Sequence, residues 1–319
     1  MKGMKWTKTT KQINRIDRMV YFVFDLDATL ADISSVYHIL TALRVKEMLT
    51  KYLSALFPTC LENDLNKAYS LFVKRVVEEE NSNTPLGILR PGILPIMEKL
   101  HSLKKRGRLT SIIIYSNNKY LPCLEFVRDL IHEHVGSKRL ISDCIHWDHP
   151  IRNGEKTLYP GFYPKTWKTL SSILMNNSSK LIMAKDVFFF DDLDHIDLQY
   201  TLQSNYYKVP PYTCYTSPER LLDIFSSVIN DTKINTSLFI SQLFHVFPIE
   251  GNPAIFTIND VIGMLREMIT YTVFEPSLEK DEGIVMMNQA IERIRMNNIK
   301  MTKRTKKGRT YKKRRYTQR

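Results

Sequence analysis

The sequence is poor in cysteine, in long apolar runs and, at its two ends, in acid. Its four cysteines, Cys60, Cys123, Cys144 and Cys214, are scattered with no C-x-x-C pairing, which reads as unpaired thiols in a reducing compartment. No apolar stretch approaches the roughly 18 residues needed to cross a bilayer. Residues 1–15 are polar and basic without an apolar h-region, so a secretory signal is not expected and the expected location is cytoplasmic or nuclear. Residues 300–319 carry eleven Lys or Arg and no acid, and residues 1–16 carry five and no acid. Subtracting these eleven and five from the net +13 leaves −3 for residues 17–299. The basic character therefore belongs to the ends, and the body is near neutral.

That body has ordinary globular composition, 43% hydrophobic and 25% charged over the 319 residues, enough for one large domain or two small ones. It is organised around Val20-Tyr21-Phe22-Val23-Phe24-Asp25-Leu26-Asp27-Ala28-Thr29-Leu30. Five apolar residues, short and without polar alternation, predict a buried parallel strand. Two carboxylates follow where the strand ends, the side on which open α/β sheets bind ligands. Like charges so placed favour a cationic guest, and a divalent metal suits oxygen donors. The D-x-D-x-[TV] pattern alone is weak evidence, arising by chance in about one chain of this length in ten.

The remaining chain repeats the theme. A helical stripe runs from Val36 to Leu56 and stops at Pro58, and a second helix spans Glu62 to Glu79. This pair could form a lid over the strand ends. Leu89-Arg90-Pro91-Gly92 introduces a helix through Ile96, Met97 and Leu100, and Ser111 to Tyr115 reads as a second buried strand ending in Ser116-Asn117-Asn118. A third strand is expected between Arg139 and Trp147, and a helix from Lys165 to about Met175. Asp186 to Phe190 is a fourth strand running into Asp191-Asp192-Leu193-Asp194. Asn205 to Val209 is a fifth strand following directly on the fourth, and Pro218 to Ile229 a closing helix. Strands alternating with helices predict an α/β fold, a doubly wound parallel sheet with helices on both faces. Acidic and hydroxyl residues crowd three of the strand ends.

In order and type, these residues resemble the haloacid dehalogenase (HAD) superfamily of phosphohydrolases over about residues 18–225. Asp25-Leu26-Asp27-Ala28-Thr29 resembles its first motif, Ser116 the second-strand Ser/Thr, Lys168 (or Lys165) the lysine before the acidic strand, and Asp191-Asp192 the last acidic motif. With Arg90-Pro91-Gly92, and with Lys168-Thr169-Leu170 in place of the branch's Lys-Asp-Leu, the chain is most similar to the Fcp/Scp (NIF-like) phosphatase branch. It departs in Ala28, in the longer insert and in the distance of Lys168 from Asp191. The Lys/Arg/Thr/Tyr-rich terminus also resembles those of some large-DNA-virus proteins.

The resemblance implies a Rossmann-like sheet and a magnesium-dependent phosphatase. Asp25 would be the nucleophile, Asp27 the acid and base, and Ser116 and Lys168 the phosphoryl-oxygen partners. Thr29, Asn117 and Lys165 would be further phosphate contacts, and Asp25, Asp27, Asp191 and Asp192 would hold Mg2+. The substrate reading tilts towards a phosphoprotein, with small metabolites, nucleotides and polynucleotide ends open. The competing reading is a non-catalytic HAD-like scaffold or a nucleic-acid-binding protein using the tail, where Tyr311 and Tyr316 interleave with cations. His195 reads as structural, and His146-Trp147-Asp148-His149 is a weak zinc pattern. The expected organisation is a basic segment 1–17, a HAD-like domain 18–230 with a helical insert or cap at 33–88, a helical appendage 231–298 and a disordered basic tail 299–319.

Overall fold

The computed structural model describes residues 19–154, 164–176, 182–213, 217–269 and 281–296. The basic N-terminal segment and the tail from 299 onwards lie outside the described residues. Strand β1 (Tyr21–Phe24) is followed by α1 (Tyr37–Leu43), α2 (Val45–Met48), α3 (Lys51–Ala55), α4 (Thr59–Glu80) and α5 (Ile93–Lys105). Then come β2 (Ser111–Tyr115), α6 (Leu121–Val135), β3 (Ile141–Ile145) and α7 (Trp167–Asn176). After them follow β4 (Val187–Asp191), α8 (Ile196–Leu202), β5 (Tyr206–Lys208), α9 (Pro218–Thr232), α10 (Thr236–Leu243), α11 (Ile258–Met268) and a last helix, α12, over 282–296.

The five strands are all parallel in the order β3-β2-β1-β4-β5. This is the doubly wound, Rossmann-like arrangement the alternation predicts. The chain winds outward from β1 to β3, then crosses to β4 on the other side of β1. The point of reversal therefore lies between β1 and β4, where such sheets open a crevice at their carboxyl ends.

Strand pleat decides which face each residue takes. Phe22, Phe24, Ile112, Ile114, Phe188 and Phe190 point to one face and join the larger core. Tyr21, Val23, Ile113, Tyr115, Val187 and Phe189 point to the other, against Leu170, Ile173 and Leu174 of α7. On the first face an aromatic ladder crosses three strands: Phe24 stacks on Phe190 at 4.9 Å between centroids, and Phe190 on Tyr207 at 4.8 Å.

Three expectations are corrected. The stripe from Val36 to Leu56 is not one helix; it breaks after Leu43 and again at Leu49-Thr50, where Thr50 accepts from Leu53 N at 3.4 Å and starts a new turn. A helix, α8, stands between β4 and β5, where the pattern suggests two strands in direct succession. It escapes a periodicity reading because Ile196 and Tyr200 are exposed, 81% and 83%, and only Leu198 and Leu202 are buried. The insert at 33–88 also does not form a separate lid with its own core. Leu40, Leu65, Phe72 and Val76 share one apolar cluster with Phe22 and Phe24, and α4 packs on α6 and α9.

The appendage adds to the same layer. Phe239, Val261, Leu265, Met287 and Ile291 belong to that cluster too.

Candidate active site

The register aligns the acidic ends. Phe24 pairs with Phe190, and Asp25 N donates to Phe190 O at 2.9 Å, so Asp25 and Asp191 stand level on neighbouring strands at the reversal point. By the pleat, both project to the α7 face. Beyond β1 the chain turns sharply. Leu26 O accepts from the N–H groups of Thr29, Leu30 and Ala31 at 3.3, 2.9 and 3.2 Å, and Ala28 takes φ +57°, a conformation costly for a residue with a Cβ.

Lys165 enters this acidic corner from the loop before α7. Its Nζ donates to Asp25 Oδ1 at 2.5 Å and to Asp191 Oδ2 at 2.6 Å, and the side chain is 1% exposed. His195 fixes both partners: its Nδ1 accepts from Lys165 N at 3.2 Å, and its Nε2 lies 3.2 Å from Asp191 Oδ2. Asp25, Asp191 and Asp192 can each present one carboxylate oxygen within 4.8 Å of the others. That donor set fits a hard divalent cation, which favours carboxylate oxygens and draws several into one shell.

Burial and charge set the protonation states. Burial, reinforced by Asp191, lifts Asp25 to about 7 although Lys165 opposes it. Burial acts upward on Asp191 too, but Lys165 and His195 outweigh it and hold that carboxyl at about 2. Burial also raises Asp27, against a hydrogen bond from Asn118, and raises Asp192 with Asp191 adding to it. Burial alone would lower Lys165, but the two carboxylates reverse that and keep it charged.

The other expected residues divide. Ser116 is buried at the end of β2, its Oγ accepting from Asn118 N at 3.1 Å. Thr29 is buried, with Oγ1 3.5 Å from Asp192 Oδ1. The Asp27 side chain is not part of the three-carboxylate group; its Oδ2 accepts from Asn118 Nδ2 at 3.1 Å. Asn117 meets Arg152, its Oδ1 accepting from Arg152 Nη2 at 2.8 Å.

Lys168 is exposed and not at the carboxylates, and Lys165 takes the place expected of it. Helix α7 begins at Trp167, and Leu170, Ile173 and Leu174 face the sheet. Two residues along a helix turn about 200°, so Lys168 lies on the side opposite Leu170. Asp194 pairs with Lys208, and Asp197 caps α7 by accepting from Trp167 N at 2.5 Å. Among the described residues, His146 and His149 join no metal-capable group.

Two residues not singled out in the sequence belong to this corner. Asn118 meets Asp27, as above. Arg152 is fully buried, stacked 4.8 Å from the Tyr115 ring centroid and 4.7 Å from that of Trp147. It donates to Ser116 O at 2.7 Å and so braces the β2 terminus. The Asn pair after Ser116 was the available signal for Asn118. Nothing local marks Arg152, which is brought in by a short 3-10 turn at Pro150–Arg152.

No family model, curated protein or solved structure matches the chain. Among the described residues, no helix is long and apolar enough to cross a membrane.

Proposed function

We propose that the protein is a magnesium-dependent phosphoric monoester hydrolase of the haloacid dehalogenase type, nearest in its motifs to the Fcp/Scp branch. The observation that carries this reading is the buried Lys165 ammonium held between Asp25 and Asp191 at the reversal point of the sheet. A sheet edge with several carboxylates and one fixed cation suits further positive charge and a phosphoryl group.

Asp25 is the nucleophile. Its carboxylate oxygen attacks phosphorus, the ester P–O bond breaks, and an aspartyl-phosphate forms, which splits one difficult step into two. Asp27 donates a proton to the departing ester oxygen. Burial raises its pKa, the direction that favours a general acid, against the hydrogen bond from Asn118. Asp27 then takes a proton from water, whose oxygen attacks the aspartyl-phosphate and releases inorganic phosphate and free Asp25. Lys165 neutralises a phosphoryl oxygen, and Ser116 and Thr29 offer hydroxyls to others.

Mg2+ would be held by Asp25, Asp191 and Asp192, with the main-chain carbonyl of Asp27, and would supply neutralisation of the charge between nucleophile and phosphate. Arg90-Pro91-Gly92 favours a phosphoprotein substrate by resemblance. The cation-rich ends suit a polyanionic partner.

The test is hydrolysis of 4-nitrophenyl phosphate by the full chain, with magnesium and with chelator, beside Asp25→Asn. Turnover that requires magnesium and disappears in Asp25→Asn is expected. Full turnover by Asp25→Asn ends the nucleophile assignment. Absence of turnover on a panel of phosphoproteins, nucleotides, polynucleotide ends and metabolites, with salt-sensitive nucleic-acid binding retained, favours the scaffold reading instead.

A further inference from the structure

The loop that carries Asp25, Asp27 and Thr29 is tied to the C-terminal helix through one guanidinium. Arg90 is among the largest fully buried side chains. Its Nη1 donates to Thr29 O at 3.0 Å, and its Nη2 donates to Pro210 O beyond β5. Its Nε stands 3.1 Å from Asp281 Oδ2, an ion pair by distance without hydrogen-bond geometry, and the group lies over the Tyr212 ring, 5.6 Å from the centroid. Tyr212 N in turn donates to Ala28 O at 2.7 Å. The motif turn is thus gripped at Ala28 O and at Thr29 O.

Two residues at the start of α12 complete the grip. Asp281 uses its other oxygen, Oδ1, to accept from Ile284 N at 3.1 Å, so the carboxylate that pairs with Arg90 also caps the helix. Gly283 leaves room for the guanidinium. A Cβ there would stand 2.6 Å from Arg90 Nη1 and 3.0 Å from Cζ. Gly283 has no left-handed φ, so what a side chain at 283 would meet is the Arg90 guanidinium and not a backbone restriction.

We propose that Arg90 is a positioning residue that holds the Asp25–Thr29 loop against Asp191 and Asp192, and that α12, through Asp281 and Gly283, is the clasp that holds Arg90. The catalytic consequence rests on the phosphohydrolase reading; the clasp itself does not. An arginine is needed because its planar fork serves three directions at once, which an ammonium on a flexible stem cannot. Small displacements of a nucleophile cost rate far more than they cost binding.

The experiment uses the full chain with Gly283→Ala, Asp281→Asn, Arg90→Lys and the double variant Arg90→Lys/Gly283→Ala. Readouts are kcat and KM on 4-nitrophenyl phosphate with magnesium, Tm, and hydrogen exchange of the peptide covering 26–31. Gly283→Ala should lower kcat about ten- to a hundredfold, with KM within about twofold, and speed exchange at Thr29, Leu30 and Ala31. Asp281→Asn keeps an acceptor for the Ile284 cap but removes the charge, so a kcat loss there reports the ion pair and not the helix. In the Arg90→Lys background, Gly283→Ala should add little, because Nη1 and Cζ are gone.

Unchanged kcat and exchange in Gly283→Ala and Asp281→Asn, a fall in Tm alone, or full additivity in the double variant would overturn the clasp. If Arg90→Lys does not fold, the two α12 variants carry the test. If the parent protein turns nothing over, the phosphohydrolase reading fails and the exchange data alone decide.

Discussion

Lys165 Nζ lies 2.5 Å from Asp25 Oδ1, and this contact sets the electrostatics of the whole corner. The same ammonium reaches Asp191 Oδ2 at 2.6 Å. One cation cannot satisfy both carboxylates equally. Asp191, which also has His195 beside it, is held ionised at about 2, while burial keeps Asp25 near 7. Asp25, Asp191 and Asp192 together could still hold a metal ion.

The two lysines should therefore separate cleanly. Lys165→Met should lower kcat/KM by at least about a hundredfold, since a fixed cation at a phosphoryl oxygen is worth several kcal/mol. It should also lower Tm, because two buried carboxylates lose their counter-ion. Lys168→Ala should stay within about twofold in activity and about 0.5 kcal/mol in stability, as exposed substitutions do. Steady-state kinetics and thermal melts on both variants check this; equal losses would contradict the placement of Lys165.

Asp27→Asn should hurt poor leaving groups most. An alkyl alcohol must be protonated as it departs, whereas 4-nitrophenolate leaves largely unaided. The loss on an alkyl phosphate should exceed that on 4-nitrophenyl phosphate by about tenfold or more. Comparison of kcat/KM across a leaving-group series is the measurement. An equal loss on all members would assign Asp27 to metal or structure instead of proton transfer.

Glu80 gives a pH prediction outside the carboxylate group. Its Oε1 accepts from Ile88 N at 2.7 Å and Leu89 N at 3.3 Å, pinning the chain that leads to Arg90. Burial nonetheless lifts it to about 7 from an ordinary value of 4.5, with those N–H groups opposing. Between these two values the folded protein holds a proton that the unfolded chain has lost, so stability falls as pH rises through this window. Glu80→Gln should flatten that slope and gain on the order of 2 kcal/mol at pH 8 relative to the parent. Urea unfolding from pH 4.5 to 8 reads both; a parallel slope in the variant would remove Glu80 as its source.

Much of this architecture is written locally. Val20 to Phe24, Ser111 to Tyr115 and Val187 to Phe190 are apolar runs that satisfy both faces of a covered parallel sheet, and each strand end carries its own polar residues. Asp25, Asp27, Ser116, Asp191 and Asp192 could be named as candidates because they lie directly after the apolar runs that make the strands. Length and pattern sufficed for α4, α5 and α9. They did not suffice for α8, whose outer face carries exposed apolar residues, or for the broken α1–α3 segment, where tertiary contacts replace helical continuity.

What tertiary structure decided is every choice between near neighbours and every contact across the chain. Lys165 and Lys168 are alike in sequence, and only the start of α7 at Trp167 places one at the carboxylates and the other in solvent. Asn117 and Asn118 are adjacent amides, and the turn after β2 gives one to Arg152 and the other to Asp27. Arg152, and the pairing of Arg90 with Asp281 about 190 residues later, have no local signature. A buried cation needs partners on all sides, and its partners become neighbours only once the sheet has closed.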